Sequence, residues 1–526
     1  MNKQQQEKAT NILFVAAEND ALPQGKVGGI GDVIRDVPQF LANSEITVDV
    51  ITPSYSMHAQ HPKAVHQLAF DVDFYGRLET INLFKIALEN QAYCQGEVNQ
   101  WVLEHPLFSN AGEGAIYCDD GPDKPFASDA TKFALFSIAV CQLVTDYWHD
   151  RTDILHLHDW HAAWVAILRE YVDAFAPVKS KRCVYTIHNL ALQGIRPLDG
   201  DASSLKAWYP QYDLAHADII DPRYPNCVNP TRAAINLCDA IHAVSPTYAK
   251  EITLPSAPEF GYVGGEGLEK DLLSAQQDDR LFGILNGCVY QHDITTGQFD
   301  DIAMTAVSVW QQKAPDAEVH KLAKTRLASW QHQECIGPIV TSIGRVTSQK
   351  IAILLTHVDG KPALCHLLDR LALAEGRLMI LGSGDAELSQ ALTAITQDYP
   401  CCIFLNGYNA ELSESLFDIG DLFLMPSSFE PCGISQLLAM RAGQPCLVNQ
   451  IGGLNDTVFD GKTGFCFSGN TPIELAHGLI ACFERALDCF AKHPAKWQSI
   501  LSEAQATRFE WPDAIEHYKK ELYQCL

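Results

Sequence analysis

No two cysteines in this chain are spaced as Cys-x-x-Cys, although 17 are scattered through its 526 residues. That absence, together with the odd count, argues against a disulfide framework and against a structural zinc site, leaving reduced, mostly buried thiols. Basic residues are scarce: 38 Lys and Arg stand against 64 Asp and Glu, a formal net charge of −26. Such a balance argues against nucleic acid or an anionic membrane as the main partner. No apolar run is long enough to span a bilayer, the longest being residues 133–144, broken by Ser137 and Gln142, and it reads as a buried helix. Residues 1–10 are polar and lack an apolar core, so no secretory signal is visible and a soluble, cytoplasmic protein is expected. Low-complexity tracts and short-period repeats are also missing.

What is present is ample material for two cores, with 47% hydrophobic and 19% charged residues. In the first half, residues 11–17, 47–52, 154–158, 183–188 and 240–244 read as buried strands, with helical patterns at 131–148 and 161–175. In the second half the strand candidates are 338–342, 378–381, 402–405, 422–425 and 445–448, with helices at 411–417 and 435–442. Continuous apolar strands alternating with helices imply parallel sheets covered on both faces. The expected fold class is therefore α/β, with two doubly wound Rossmann-like domains at 1–299 and 336–505 joined by a charged, helix-rich connection at 300–335. Residues 199–230 read as a long loop or insertion, and 460–467 as a hairpin-like element.

Any anionic ligand of so acidic a chain needs a locally built site, from a few cations, glycine loops and helix N-termini. Five motifs follow strands directly, where open parallel sheets bind ligands. Lys26-Val-Gly-Gly-Ile-Gly-Asp-Val33 is a glycine loop opening a helix near Gly31; Gly28 and Gly29 let backbone approach a phosphate, Lys26 adds charge, and Asp32 can accept from hydroxyls. A tight strand-to-helix turn with a surface lysine accounts for it equally well. His156-Leu-His-Asp-Trp-His161 delivers Asp159 from a strand end, where it serves a crevice or simply caps the next helix. A metal is the weaker account of its three histidines, since no carboxylate or cysteine set completes a site, and no metal or cofactor is expected.

Tyr185-Thr-Ile-His-Asn-Leu-Ala-Leu-Gln-Gly194 offers His188 and Asn189 to hydroxyls or a transferring group. Ser342-Ile-Gly-Arg-Val-Thr-Ser-Gln-Lys350 sets Arg345 and Lys350 five residues apart, a guanidinium fork and a point charge suited to a phosphate, or else two ordinary surface cations. Leu424-Met-Pro-Ser-Ser-Phe-Glu-Pro-Cys-Gly-Ile-Ser435 is the most specific. It places Glu430 in a strand-to-helix turn and Gly433 to Ser435 at the helix N-terminus, with Cys432 partly accessible.

In this order the motifs resemble the bacterial glycogen synthases and plant starch synthases, retaining transferases that use ADP-glucose. The family's Lys-Thr-Gly-Gly-Leu loop is matched by Lys26-Val-Gly-Gly-Ile, and its His-Asp-Trp-His and Thr-Ile-His-Asn-Leu-Ala segments begin here at His158 and Thr186. Val244-Ser-Pro-Thr-Tyr-Ala-Lys-Glu-Ile252, Gly283-Ile-Leu-Asn-Gly287, Arg345-Val-Thr-Ser-Gln-Lys350, Phe429-Glu-Pro-Cys-Gly433 and Phe509-Glu-Trp511 extend the match over nearly the whole chain. The resemblance implies a GT-B type fold, two Rossmann-like domains facing a deep cleft, with a terminal helix at 506–526 crossing back to the first domain. It implies transfer of glucose from ADP-glucose to the non-reducing end of an α-1,4-glucan, with those two compounds as partners. Position by position, it implies that Lys26, Gly28 and Gly29 contact donor phosphates, and that Asp32, Asn286 and Tyr408 hold the nucleoside. Arg345 and Lys350 would stabilise the leaving diphosphate; Asp159, His188, Asn189 and Glu430 would surround the glucose, with Cys432 and Gly433 near sugar and phosphate.

The chain departs from the family pattern at Val27, Ser428, Ile351, Asn449-Gln450, Cys288-Val289-Tyr290 and across 120–133. Those departures keep two alternatives in view: a non-catalytic glucan-binding or regulatory paralogue, and a retaining transferase using UDP-glucose or a small acceptor. Oligomeric state is left open by the sequence.

Overall fold

The computed structural model describes residues 9–88, 92–121, 123–290, 298–331 and 333–524. The chain divides into two compact units: Met1–Ser256 with Gly264–Asn286 and Trp511–Leu526, and Ala257–Val263 with Gly287–Glu510.

The first unit is built on a nine-stranded sheet. Its strands are β1 (Thr10–Val15), β2 (Ile46–Pro53), β3 (Ala64–Phe74), β4 (Arg77–Ile86), β5 (Glu97–Glu104), β6 (Ile154–His158), β7 (Arg182–Ile187), β8 (Ala240–Ala243) and β9 (Leu281–Gly283). Their spatial order is β9-β8-β7-β6-β1-β2-β5-β4-β3. Pairing is parallel from β9 through β5, whereas β4 and β3 are added antiparallel at one edge. The five expected strands all lie in the parallel part. The edge hairpin was not legible as strand, because β3 has a largely exposed face and reads as irregular.

Helices cover this sheet as the apolar patterns require. Helix α1 (Gly29–Leu41) buries Val33, Ile34, Val37 and Leu41 along one face. Helices α2 (Ala127–Asp146) and α3 (Asp159–Tyr171) are buried almost all round. Among the described residues α2 alone is long and apolar enough to cross a membrane, and its apolar segment lies in the core. The stretch 199–230 is mostly irregular, carrying short helical turns such as Leu205–Trp208 and one two-residue strand, Cys227–Val228, paired with Arg196–Pro197 just before the stretch.

The second unit has six parallel strands: β10 (Ile339–Ile343), β11 (Arg377–Gly382), β12 (Cys402–Asn406), β13 (Leu422–Met425), β14 (Cys446–Asn449) and β15 (Gly464–Phe467). The order β12-β11-β10-β13-β14-β15 is that of a doubly wound dinucleotide-type sheet. Residues 460–467 thus differ from the expected hairpin, since β15 pairs parallel to β14 as the edge strand. The expected connection at 300–335 is also revised. Helices α4 (Phe299–Lys313) and α5 (Glu318–Trp330) bury Ile302, Ala306, Leu327 and Trp330 against Met379, Leu381 and Leu405, covering one face of this sheet. Their charge misled because only the outward face carries it. The chain passes from unit to unit at 286–287, earlier than the expected boundary at 299.

The terminal segment is held in the first unit by buried polar contacts. Trp511 donates its Nε1–H to Asp36 on α1 at 3.1 Å. The Tyr523 hydroxyl meets His156 Nδ1 at 2.8 Å, and His156 Nε2 meets Thr186 Oγ1 at 2.7 Å, which in turn lies 3.0 Å from His242 Nδ1. Removing the Tyr523 hydroxyl strands a buried ring nitrogen, a loss of about 1–3 kcal/mol. Tyr523→Phe is therefore expected to lower the denaturation midpoint in urea, and an unchanged midpoint would show that the contact contributes nothing.

Candidate functional site

In each sheet the strand order reverses once beside a central strand, and the loops leaving that point diverge to form a crevice. In the second unit the reversal lies between β10 and β13. The loop after β10 carries Arg345 and leads into helix α6 (Ser348–Leu355), which carries Lys350. The loop after β13 carries Glu430. The sequence-predicted residues are thus brought together: Lys350 Nζ donates to Glu430 Oε2, the oxygen that also accepts from Ser427 Oγ at 3.0 Å. Gln349 ties the two loops, donating from Nε2 to the Phe429 carbonyl at 3.0 Å and accepting from Ser428 N at 2.8 Å. Arg345 is exposed and has no ion pair among the described residues.

Helix α7 (Ser435–Arg441) has Ile434 as its N-cap, so Gly433 stands just outside it rather than in its first turn. Gly433 has φ +77°, open to glycine, and a Cβ there would meet Gln436 Oε1 at 2.4 Å. Cys432 is buried rather than partly accessible, because the turn at Gly453 packs directly on its backbone. Tyr408, in the loop after β12, is 67% exposed and its ring is available to a ligand face.

In the first unit the reversal lies between β1 and β6. Lys26 pairs with Asp32 at 2.6 Å, and Arg35 joins the same acidic group, which includes Asp20 and Asp36. The expected phosphate cradle holds a carboxylate instead: Val27 N and Gly28 N donate to Glu18 Oε2 at 2.8 and 2.7 Å. Helix α1 begins at Gly29 without a side-chain cap. Glu18 carried no spacing signal in the sequence, being a lone carboxylate after a strand.

Asp159 is not a helix cap. It is buried with φ +54°, in the left-handed region, and its Oδ1 accepts from the amides of His188 at 2.7 Å and Asn189 at 3.4 Å. Strained, over-determined positions of this kind concentrate at functional sites. Burial pushes its carboxyl up to about 7, against the lowering effect of those two amides. His188 Nε2 lies 3.0 Å from His158 Nδ1, and the Asn189 side chain accepts from Ala191 N at 3.0 Å. Gly194, φ +67°, closes this loop on Trp160, whose ring a Cβ would strike at 2.2 Å. Asn286 is buried, with its Oδ1 lacking a partner among the described residues. No group of three His, Cys, Asp or Glu suited to a metal occurs among the described residues.

Two family models match the chain: one described as the starch synthase catalytic domain, over residues 11–274, and one as glycosyl transferases group 1, over residues 337–485. The glycogen synthase of Lactiplantibacillus plantarum is 31% identical over 540 residues, covering 98% of this chain and 99% of its own length. That of Aeromonas salmonicida is 29% identical, covering 98% and 97%. Among solved structures, the catalytic domain of starch synthase IV from Arabidopsis thaliana, bound to ADP and acarbose, matches with a TM-score of 0.75 and 25% identity over 98% of this chain and 99% of that one. Sucrose-phosphate synthase from Thermosynechococcus elongatus matches at a TM-score of 0.54 and 16% identity over 98% of each chain, a likeness of fold. The α/β fold, with its parallel sheets, is that of the GT-B structures.

The groups packed around Asp159 determine how the protein responds to acid. Burial holds His156, His158, His161, His188 and His242 neutral, each well below the ordinary histidine range. A lowered folded value means that their stabilisation is present above the unfolded value and is lost as pH falls through it. Asp159, raised, works the other way and gains as pH falls, but it is one group against five. The net loss from these groups between about pH 7.5 and pH 5.5 is expected to be roughly 5 kcal/mol. Urea titrations at the two pH values measure it, and equal stability at both would contradict the buried, neutral assignment.

Proposed function

The chain belongs to the family of glycogen and starch synthases, and from that membership we propose that this glycosyltransferase moves glucose from ADP-glucose to the non-reducing end of an α-1,4-glucan, retaining configuration at the transferred carbon. The observation that carries the proposal is the pair of loops at the second unit's strand reversal, where Arg345, exposed and without an ion pair among the described residues, precedes the Lys350–Glu430 pair. The Arabidopsis relative, solved with ADP and acarbose, supplies the nucleotide by analogy.

Breaking the bond between glucose and the diphosphate develops positive charge at the sugar carbon and negative charge on the leaving group. Arg345 and Lys350 meet that negative charge, so a divalent cation is not needed there. Glu430, its remaining oxygen free of Lys350, accepts from sugar hydroxyls. Asp159, His188 and Asn189 surround the glucose, and Cys432 and Gly433 lie near it and the phosphates. Lys26 and Gly29 contact the phosphates. Gly28, whose amide is committed to Glu18, contributes close approach rather than a donor. Asp32, the unsatisfied Asn286 and exposed Tyr408 hold the nucleoside. No carboxylate attacks the sugar; the diphosphate takes the acceptor hydroxyl's proton as the new bond forms on the same face. A cytoplasmic location is part of the same proposal, in keeping with 16 free cysteines among the described residues.

Release of ADP from ADP-glucose in the presence of glycogen or a maltooligosaccharide tests this, with UDP-glucose and small acceptors in parallel. Removing one preorganised donor to the leaving group costs about 3 kcal/mol of barrier lowering, so Arg345→Ala is expected to reduce kcat roughly 100-fold. Because Arg345 is exposed, its loss leaves no buried charge behind, whereas Lys350→Ala strands Glu430 and needs a stability control. A folded protein that turns over no nucleotide sugar with any primer refutes the proposal, and preference for UDP-glucose would replace the donor assignment alone.

A further inference from the structure

The carboxylate lodged in the glycine loop points beyond the residues so far given roles. Glu18 is buried, at 2% exposure, and all its described bonds are to the loop and to one tyrosine. Its Oε2 accepts from Val27 N and Gly28 N, and its Oε1 accepts from the Tyr117 hydroxyl at 2.7 Å. A Cβ on Gly28 would lie 3.5 Å from Oε1, so the loop backbone runs close beside the carboxylate.

Tyr117 is itself anchored from the far side. Cys118 N donates to both oxygens of Asp129, at 3.1 and 3.2 Å, and Lys132 Nζ donates to the Ile116 carbonyl. Asp129 and Lys132 face each other one turn apart on α2 at 2.7 Å, and Lys132 is fully buried. A buried ion pair thus grips the residues on either side of Tyr117, and the tyrosine hydroxyl fixes one oxygen of Glu18. The other oxygen fixes the turn immediately before Lys26's neighbours Gly28 and Gly29 enter helix α1.

We propose that Tyr117 and Glu18 are positioning residues for the donor: they hold the glycine loop in the shape that presents Lys26 and the start of α1 to the diphosphate, without touching it themselves. This rests on the transferase reading. The carboxylate occupies the two loop amides, so a phosphate is directed past Gly28 to the lysine and the first helical turn. Tyr117→Phe removes one bond to Glu18 and leaves the carboxylate free to swing. Glu18→Gln keeps the size but places an N–H₂ where one of three donors already points.

The experiment uses the full chain and two readouts. Kinetics of ADP release are measured against ADP-glucose at saturating glycogen, and ADP binding is measured by calorimetry, with thermal melts as a control. Tyr117→Phe is expected to raise the donor KM and the ADP Kd together, by roughly 10–100-fold, the scale of one hydrogen bond to a charged group. Its kcat and the KM for glucan should stay within about 2-fold of the parent, since only uniform donor binding is weakened. Glu18→Gln should act in the same direction and more strongly. Unchanged donor KM and ADP Kd in Tyr117→Phe overturn the proposal, as does a fall in kcat alone. If Glu18→Gln fails to fold, Tyr117→Phe, which deletes one hydroxyl, decides by itself. A parent that binds ADP but transfers no glucose refutes the transferase reading, while the calorimetry still decides the role of the pair; a parent that binds no ADP overturns both.

Discussion

Holding an anion in a chain with 26 more acidic than basic charges is the constraint on which the arrangement depends. Cations at the two sheet reversals are therefore scarce, and the protein's own carboxylates compete for them. Lys26 is matched by Asp32, Arg35 by Asp36, and Lys350 by Glu430. Partial exposure leaves these pairs weakly stabilising, with Lys26 at 31% and Lys350 at 22%. Their effect is orientation: each ammonium is held in place beside its carboxylate. Arg345 differs in having no carboxylate partner among the described residues, so its fork is open to an incoming phosphate.

Parallel strands explain why such groups collect where they do. All seven parallel strands of the first sheet, and all six of the second, end their carboxyl termini on one edge. Loops that leave either side of the central strand turn in opposite directions, and side chains at those strand ends face the gap. Asp159 follows β6, His188 follows β7, Arg345 follows β10 and Glu430 follows β13 by a few residues. Burial then does the chemical tuning: it keeps the histidines beside Asp159 neutral and makes its carboxyl titrate near 7. A site assembled from strand ends inherits the rigidity of the sheet, which is what a preorganised charge stabiliser requires.

The strand-end motifs were legible because each combines an apolar run with a break, and strand length and position follow from that pattern alone. All ten strands expected from it are present, several shifted by a residue. What escaped has physical reasons. The hairpin β3–β4 faces solvent on one side, so its apolar signal is halved. Helices α4 and α5 carry their charge outward, and their buried residues are spaced by the helix rather than in a run. Asp159 has the sequence position of a cap, yet its left-handed backbone turns the carboxylate toward β7 instead. Glu18 is the clearest case: its partners lie nine, ten and ninety-nine residues away, a relation that only the folded chain expresses.

The departures from the family pattern occupy a different physical stratum from the residues that carry charge. Ile351 is buried in the second unit's core, in the same apolar cluster as Val346, Ile353 and Leu354. Ser428 bonds through its hydroxyl to the Gln349 carbonyl, and Asn449 donates to the Ser427 carbonyl at 3.1 Å, so both reinforce the loop that bears Glu430. Tyr290 accepts from Phe509 N at 2.8 Å with the Arg508 guanidinium over its ring, and Cys288 N donates to the Phe509 carbonyl, a junction within the second unit. Val27 keeps its backbone bond to Glu18 whatever its side chain. Ile351, Ser428, Asn449 and Tyr290 thus each have a packing or loop-fixing use. Substitutions that eroded catalysis would be expected to strike charged groups whose burial is costly to maintain. A buried acid at a strained backbone position, kept in a chain free to relax it, is hard to reconcile with a site that has lost its work.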